Sequence, residues 1–232
     1  MTKLEGVRAC VFDAYGTLFD VGAAARTAAA EPGSARWAGR WPQIAADWRR
    51  KQLEYSWLRA VAGDRCDFWQ VTQEALDWAL EAAGLDDPAL RDRLLALYWE
   101  LSAFPEVPAM LDALAAQGRR LAILSNGSPG MLSGAVGSAG LDTRFEALLS
   151  VESVGVFKPA RAVYDLVGAT LHLPPDRVLF VSSNGWDAAA GAAYGFVTVW
   201  VNREGAPLDR LPGRPAHVLR DLAALPDLVG VL

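Results

Sequence analysis

The chain has 232 residues, of which 52% are hydrophobic and 21% are charged, and its formal net charge is -5. This length allows a substantial core, either in one domain or in one domain with a sizeable insertion. No apolar run approaches the roughly 20 residues that a membrane-spanning helix needs. The negative charge and the lack of a basic tract argue against a nucleic-acid partner. We therefore expect neither a membrane nor a nucleic acid as partner.

The N-terminus and the cysteines narrow the class of protein further. Residues 1–6 lack the long apolar core of a signal peptide, so we expect a cytoplasmic protein. The two cysteines, Cys10 and Cys66, are far apart in sequence and predict no disulfide framework. Two histidines without a cysteine or histidine cluster do not favour a zinc site.

The first predicted element is a buried strand over residues 7–12, an apolar run interrupted only by Arg8. It ends at Asp13, which a glycine-containing loop follows. In open α/β sheets, ligands bind beyond the carboxyl ends of the strands, so an acid placed there is a candidate nucleophile or base. A solvated loop aspartate would give the same local pattern.

About eighty helical residues come next. The pattern predicts helices over 41–62, over 68–83 and from Pro88 to about Ser102, with Asp67 and Asp87 as caps of the last two. Because these helices precede any second strand, we expect an inserted helical cap over residues 21–104. The core domain would then comprise residues 1–20 and 105–232.

Strands and helices alternate in the remaining chain. Helices are predicted over 109–117, 131–139, 162–171 and 187–194, strands over 121–124, 147–151, 178–181 and 198–201, and a short helical segment at the C-terminus. Alternation of this kind predicts an α/β fold with a Rossmann-like parallel sheet and right-handed crossovers.

Three of the predicted strands end in small polar or charged residues. Asp13 follows the first strand, Ser125 begins the SNG run after the second, and Ser182 begins SSNGWD. A parallel sheet brings such ends to one edge, so these residues are expected to share one crevice with Lys158, which precedes Pro159 at the opening of an intervening helix. Each run taken alone is also a typical turn former.

These segments resemble the four motifs of the haloacid dehalogenase superfamily. Asp13 lies in FDAYGTL, Ser125 in LSNG, Lys158 before Pro159, and Asp187 in SSNGWD. The runs RRKQLEY at 49–55, SNGS at 125–128 and SSNGWD at 182–187 are similar to signatures of the L-2-haloacid dehalogenase branch. The resemblance covers nearly the whole chain. It implies a hydrolase that converts short L-2-haloalkanoic acids to D-2-hydroxyalkanoic acids.

Two positions separate this branch from the related phosphatases. A phosphatase of the superfamily carries a second acid two residues after the nucleophile to protonate its leaving group, and Tyr15 stands there. Mg²⁺ needs several oxygen ligands, whereas Ser182, Ser183 and Asn184 leave only Asp187 as an acid in the fourth motif. We therefore expect no metal and no cofactor. The alternatives are a magnesium-dependent phosphatase of small metabolites and, less favoured, a silent binding module.

The resemblance assigns roles to the polar residues. Asp13 attacks the carbon that bears the halogen and forms an ester, which Lys158 assists by keeping the carboxylate ionised. Asp187 orients or deprotonates the hydrolytic water, Ser182 and Asn184 fix that water, and Thr17 hydrogen-bonds Asp13. Tyr164 matches a tyrosine that buttresses the site, although an ordinary hydrogen-bonded hydroxyl would look the same.

The remaining predicted residues contact the substrate, a small halogenated carboxylic acid. Arg49 shares a helical stripe with Leu53 and Trp57, and this pattern predicts that Arg49 lines a pocket rather than a solvated face. The resemblance implies that Arg49, together with Asn126, binds the departing halide. Ser125 and nearby backbone amides would hold the carboxylate. Other substrate contacts are Ala14 and an apolar wall of Tyr15, Leu53, Phe68 and Trp186; for Phe68 a core role is equally favoured. Relatives of this branch pair through their caps, which suggests a homodimer.

Overall fold

A computed structural model of the chain describes residues 4–230. Its centre is one sheet of six parallel strands in the order β3-β2-β1-β4-β5-β6. The strands are β1 Ala9–Phe12, β2 Arg120–Ser125, β3 Ala147–Ser150, β4 Val178–Ser182, β5 Val197–Val201 and β6 His217–Leu219. This architecture confirms the predicted α/β class and its Rossmann-like sheet.

Helices flank the sheet and fill the long segment after β1. They are α1 Ala23–Ala29, α2 Trp41–Ala62, α3 Phe68–Ala82, α4 Pro88–Trp99, α5 Val107–Ala116, α6 Pro129–Ser138, α7 Arg161–Leu171, α8 Gly185–Tyr194 and α9 Leu225–Val229. Short 3₁₀ turns lie at Ser34–Arg36, Ala38–Arg40, Val151–Ser153 and Pro175–Arg177. In the part of the chain that the structure describes, no helix is both long and apolar enough to cross a bilayer.

Strand β1 is fully buried at the middle of the sheet because its four residues are apolar or small and helices cover both faces. Phe12 pairs with Ile123 of β2 on one side and with Val181 of β4 on the other. The strand order reverses at β1, which is the place where open α/β sheets bind ligands. Asp13 therefore leaves the sheet at its switch point.

Helices α1–α4 form an insertion between β1 and α5. The backbone enters and leaves it side by side, since the amide of Phe104 donates to the carbonyl of Leu18 (2.9 Å) and the amide of Asp20 to that of Ser102 (3.0 Å). Asp67 and Asp87 cap α3 and α4, as predicted, by accepting from backbone amides at 2.7 and 3.0 Å.

The structure corrects several predicted elements. Helix α1 lies within the predicted helical segment but was not given bounds of its own, because its sequence is mostly alanine and Gly22 provides no side-chain cap. Strand β6 has only three residues and was also missed. The third predicted helix ends at Trp99 rather than near Ser102, since Glu100 already leaves the helical conformation. The other bounds differ by three residues or fewer.

The long helix α2 packs against the other inserted helices with a face that includes polar side chains. Its buried residues are Ile44, Trp48, Gln52 and Ser56, so two polar side chains take part in the packing against α3 and α4. Gln52 donates to the hydroxyls of Thr72 (3.0 Å) and Tyr98 (3.1 Å), which satisfies its buried amide. Arg49 and Leu53 of the predicted stripe face the carboxyl ends of the strands, whereas Trp57 lies beyond the cavity that they line.

Candidate active site

A small enclosed cavity of about 10 Å³ lies where α2 and α3 meet the carboxyl ends of β1, β2 and β4. This volume is enough for roughly one water molecule. Ten residues line the cavity: Asp13, Tyr15, Arg49, Leu53, Phe68, Ser125, Asn126, Lys158, Asn184 and Trp186. Every one of them is among the site residues predicted from the sequence.

Asp13 is 6% exposed and three side chains donate to its carboxylate. The Thr17 hydroxyl donates to Oδ2 at 2.9 Å, the Asn184 amide donates to the same oxygen at 3.1 Å, and Lys158 Nζ donates to Oδ1 at 3.1 Å. The site therefore holds the Asp13 carboxylate, with three donors around it, against a cavity with little room for water.

Lys158 joins the two acids of the site. Its ammonium lies 2.8 Å from Oδ2 of Asp187 in addition to its contact with Asp13, and the side chain is 1% exposed. Burial alone would lower the pKa of Lys158, but the carboxylates of Asp13 and Asp187 outweigh burial and raise it above its ordinary value. The ammonium is therefore charged throughout the neutral range.

Asp187 is completely buried behind the nucleophile. Besides the ammonium, it accepts a hydrogen bond from the Tyr164 hydroxyl, which lies 2.7 Å from Oδ1. Burial raises the pKa of Asp187 above its ordinary value, against the lowering effect of the Lys158 charge. Two donors hold this acid in place, and its environment makes it a better base than a solvated aspartate.

The residues available for a divalent cation do not form a typical metal site. The Lys158 ammonium already contacts both acids, so a cation would have to displace it from Asp13 and Asp187. Within residues 4–230 no three histidine, cysteine, aspartate or glutamate side chains lie close enough together to hold a metal ion. This donor set favours a protein cation between the acids.

The loop after β2 presents small polar groups to the cavity. The Ser125 hydroxyl accepts from the amide of Gly127 (3.1 Å), and Asn126 Oδ1 accepts from the backbone amide of Lys158 (2.9 Å). Because the carbonyl oxygen of Asn126 is occupied in this way, its amide nitrogen is the group left for a ligand. Such donors suit an anionic substrate.

Arg49 reaches the cavity from α2. Its Nη2 donates to the backbone carbonyl of Tyr15 at 3.2 Å and to Oδ1 of Asn184 at 3.3 Å. Asn184 therefore links the Arg49 guanidinium to the Asp13 carboxylate, because it hydrogen-bonds to both. Its remaining N–H groups are donors for an anion next to the reacting carboxylate.

Tyr15 and Phe68 form an aromatic wall on the side of the inserted helices. Tyr15 is 3% exposed, its ring stacks on Tyr98 with centroids 5.5 Å apart, and Phe68 lies 6.3 Å away. Phe68 also packs edge-on against Phe157, so it serves the core and the cavity at once. The two roles weighed for Phe68 are therefore compatible.

Comparison with known proteins agrees with this geometry. The sequence profile of the haloacid dehalogenase-like hydrolases matches residues 7–195. The (S)-2-haloacid dehalogenase 1 of Pseudomonas sp. (strain CBS-3) is 43% identical over 227 residues, which make up 97% of this chain and 98% of that protein. The chain belongs to the haloacid dehalogenase-like hydrolases. Within that family its similarity places it in the L-2-haloacid dehalogenase branch.

Solved structures of dehalogenases share the same architecture. A crystal structure of a dehalogenase has a TM-score of 0.91 to this chain at 39% identity, covering 97% of this chain and 98% of the other. The L-2-haloacid dehalogenase from Xanthobacter autotrophicus with chloropropionic acid covalently bound has a TM-score of 0.83 at 38% identity, covering 96% and 98%. The similarity to these haloacid dehalogenases therefore extends over the inserted helices as well as the sheet.

Five predicted residues of this haloacid dehalogenase lie outside the cavity lining. Thr17 donates to Asp13, Tyr164 donates to Asp187, and Asp187 accepts from Lys158. The Ser182 hydroxyl accepts from the amide of Asn184 at 3.1 Å. Ala14 is buried, and its carbonyl accepts from the amides of the loop that follows it. The individual roles of these residues remain predictions.

Two further residues of the haloacid dehalogenase site were not predicted. The amide of Ser183 donates to the Thr17 hydroxyl at 2.8 Å, and Arg203 donates to the Thr17 carbonyl at 3.0 Å while pairing with Glu106 at 2.8 Å. Both hold the loop that carries the nucleophile. Arg203 is the second residue after β5, so the strand-end argument applied to the other strands would have found it.

Proposed function

We propose that this enzyme removes the halogen from short L-2-haloalkanoic acids by hydrolysis and yields D-2-hydroxyalkanoic acids. The observation that carries the proposal is the Asp13 carboxylate, held by three donors against a cavity that Arg49 also lines. Its relatives are named (S)-2-haloacid dehalogenases, and one related structure holds chloropropionic acid covalently bound. These findings support an ester on the equivalent acid.

In the first step a carboxylate oxygen of Asp13 bonds to C2 of the substrate as the carbon–halogen bond breaks. The bonding pair leaves with the halide, and attack from the opposite side inverts C2. Arg49 and Asn126 supply N–H donors for the departing anion, while Ser125 binds the substrate carboxylate. A carboxylate is a weak nucleophile in water, so the tight cavity assists this step.

In the second step water attacks the carboxyl carbon of Asp13, and Asp187 accepts a proton from that water. The bond from this carbon to the ester oxygen then breaks, which releases the hydroxy acid and leaves a new oxygen on Asp13. The proton on Asp187 passes to the departing alkoxide, and the second proton of the water is released to solvent as the Asp13 carboxylate forms again. Lys158, Thr17 and Asn184, which donate to Asp13 in the free enzyme, stabilise the charge that develops on its oxygens.

We also propose that residues 21–104 act as a cap on a core of residues 1–20 and 105–232. Backbone hydrogen bonds between residues 18–20 and residues 102–104 support these limits. A cavity of about 10 Å³ is too small for a haloacid, so substrate entry requires α2 and α3 to move away from the sheet.

We further expect a homodimer in the cytoplasm, with the haloacid as its small-molecule partner.

A halide-release panel tests the proposed function. Each enantiomer of 2-chloropropionate, together with chloroacetate and fluoroacetate, would be incubated with the enzyme in EDTA. We expect chloride from chloroacetate and from L-2-chloropropionate but not from its D enantiomer, because the relatives are named (S)-2-haloacid dehalogenases. The magnesium-dependent phosphatase alternative predicts hydrolysis of p-nitrophenyl phosphate that requires Mg²⁺. Mg²⁺-dependent phosphate release from p-nitrophenyl phosphate, with no halide released from any of the haloacids, would overturn the proposal.

Gly127 should tolerate no side chain, because a Cβ atom there would lie 2.7 Å from Cε2 of Tyr15. Gly127→Ala should displace the Tyr15 ring from its position in the cavity wall and lower kcat/KM for 2-chloropropionate by about tenfold or more. Gly130→Ala is the matched control, since its Cβ would come no closer than 3.6 Å to its neighbours, the Trp99 ring and the Ser128 hydroxyl. Equal kcat/KM values for the two variants would show that activity does not depend on the present position of the Tyr15 ring.

Ester breakdown should depend on the ionisation of Asp187. Because burial raises its pKa, the rate of breakdown should fall on the acid side at a pH above the ordinary aspartate value of about 3.9. The measurement is rapid quenching of enzyme that has been loaded in a single turnover with 2-chloropropionate, followed by intact mass. Breakdown that is independent of pH down to about 4 would argue against Asp187 as the base.

A further inference from the structure

A second, larger space lies beside the active-site cavity. This apolar groove has a volume of about 580 Å³ and lies between the C-terminal part of α2, residues 156–160, α8 and residues 211–213. Its walls include Trp57, Val61, Phe157, Pro159 and Trp186, and none of its lining residues is charged. The groove therefore suits an alkyl chain and offers nothing to a polar ligand.

The walls of the groove continue those of the active-site cavity. Along α2, Arg49 and Leu53 line the cavity, and Trp57 and Val61 line the groove, all at four-residue spacing on one face. On the opposite wall, Lys158 belongs to the cavity while its two neighbours in sequence belong to the groove. The two spaces are consecutive compartments along the same helix.

Trp186 stands between the two compartments and lines both. Its indole packs edge-on against Trp57, with centroids 5.3 Å apart. The indole N–H is buried, and among residues 4–230 it has no hydrogen-bond acceptor. Rotation of this ring therefore breaks no hydrogen bond within the described residues, and it would join the groove to the cavity.

We propose that the groove receives the alkyl chain of longer 2-haloalkanoic acids, whose carboxylate and reacting carbon occupy the active-site cavity. This inference rests on the proposed function and extends its substrate class beyond short acids. Each methylene that enters an apolar site contributes about 0.8 kcal/mol, which is about a fourfold gain in binding. Acids with several carbons beyond C3 should therefore be turned over efficiently.

A cleft on the other side of the cavity is the competing place for the chain. It has a volume of about 830 Å³ and shares Arg49, Leu53, Asn184 and Trp186 with the active-site cavity. However, Arg26, Arg50, Arg203, Glu204 and Asp209 also line it. An alkyl chain gains little from leaving water among these charges, whereas the groove is free of them.

The test compares L-2-bromopropionate with L-2-bromooctanoate by halide release, using three substitutions on α2. Val61→Glu places a charge in the groove, Ala46→Glu places one in the cleft, and Leu58→Glu lies outside both. All three residues are exposed, so the variants should fold, which thermal melting would verify. We expect only Val61→Glu to lower the ratio of kcat/KM for the octanoate to that for the propionate, by about tenfold.

Each other result overturns the inference. A lower ratio in Ala46→Glu alone would place the chain in the cleft. Equal ratios in all three variants, or wild-type activity on the propionate without activity on the octanoate, would mean that the groove does not receive the substrate. No halide from bromopropionate would contradict the proposed function itself, and this outcome is distinct from the others.

Discussion

Asp13→Ala should reduce halide release from L-2-chloropropionate by at least about 10⁴-fold, because loss of a covalent nucleophile removes most of the catalytic effect. The residual rate would come from the donors that surround the position: Thr17, Lys158 and Asn184. Alanine is preferable to asparagine here, because hydrolysis of an asparagine amide would regenerate the aspartate. Initial rates and thermal melting of the same samples separate lost chemistry from lost folding.

Asp20→Asn is the matched control for this substitution. Asp20 lies on the same loop but accepts from the Gly22 amide and pairs with Arg26 at 2.7 Å near the surface. We expect its rate to stay within about threefold of the wild type, since an exposed pair of this kind contributes little. Comparable losses in both variants would indicate that the loop, rather than the Asp13 carboxylate, is what matters.

A single turnover in oxygen-18 water probes the same step in the unaltered enzyme. The first hydroxy acid released should carry unlabelled oxygen, since that atom comes from the Asp13 carboxylate, and the protein should gain one labelled oxygen. Intact mass of the protein and of the product gives both values. Label in the product of the first turnover would show that water attacks the substrate directly.

The sheet and its polar edge could be predicted because each depends on local sequence. Strand β1 is an uninterrupted apolar run in its observed part. Asp13 follows it, and Ser125 and Ser182 are the last residues of strands that alternate with helices. Once the sheet is parallel, its geometry brings these ends together. The residues that line the cavity could therefore be predicted from these strand ends and from the stripe of residues on one face of α2.

Other features could not be predicted because they depend on tertiary contacts. Gln52 reads as a surface residue in the sequence, yet it is buried because Thr72 and Tyr98 accept its hydrogen bonds. The spacing of α2 predicted that Arg49 and Leu53 share a pocket-facing stripe, but it did not show which other face of the helix would be buried. Packing of α2 against α3 and α4 decides this, and it lies outside any local pattern.

Lys158→Met should cost both stability and activity, since the substitution keeps much of the side-chain length and removes the charge. The ammonium is the cation between Asp13 and Asp187, at 3.1 and 2.8 Å, and it is buried with them. Removing one partner of a buried ion pair costs about 3–5 kcal/mol because the remaining charge is uncompensated. Activity should fall by about 10³-fold or more, as Asp13 loses a donor and the ester loses its stabilising cation.

Urea unfolding of four proteins tests this account: wild type, Lys158→Met, Lys51→Met and the double variant Lys158→Met/Asp187→Asn. Lys51 pairs with Glu54 on α2, nearer the surface, so its loss should cost no more than about 1 kcal/mol. The double variant removes one of the two stranded carboxylates and should recover part of the lost stability without recovering activity. If it were less stable than Lys158→Met, the cost of losing the lysine would lie in packing against Phe180, 5.0 Å from the ammonium, rather than in charge.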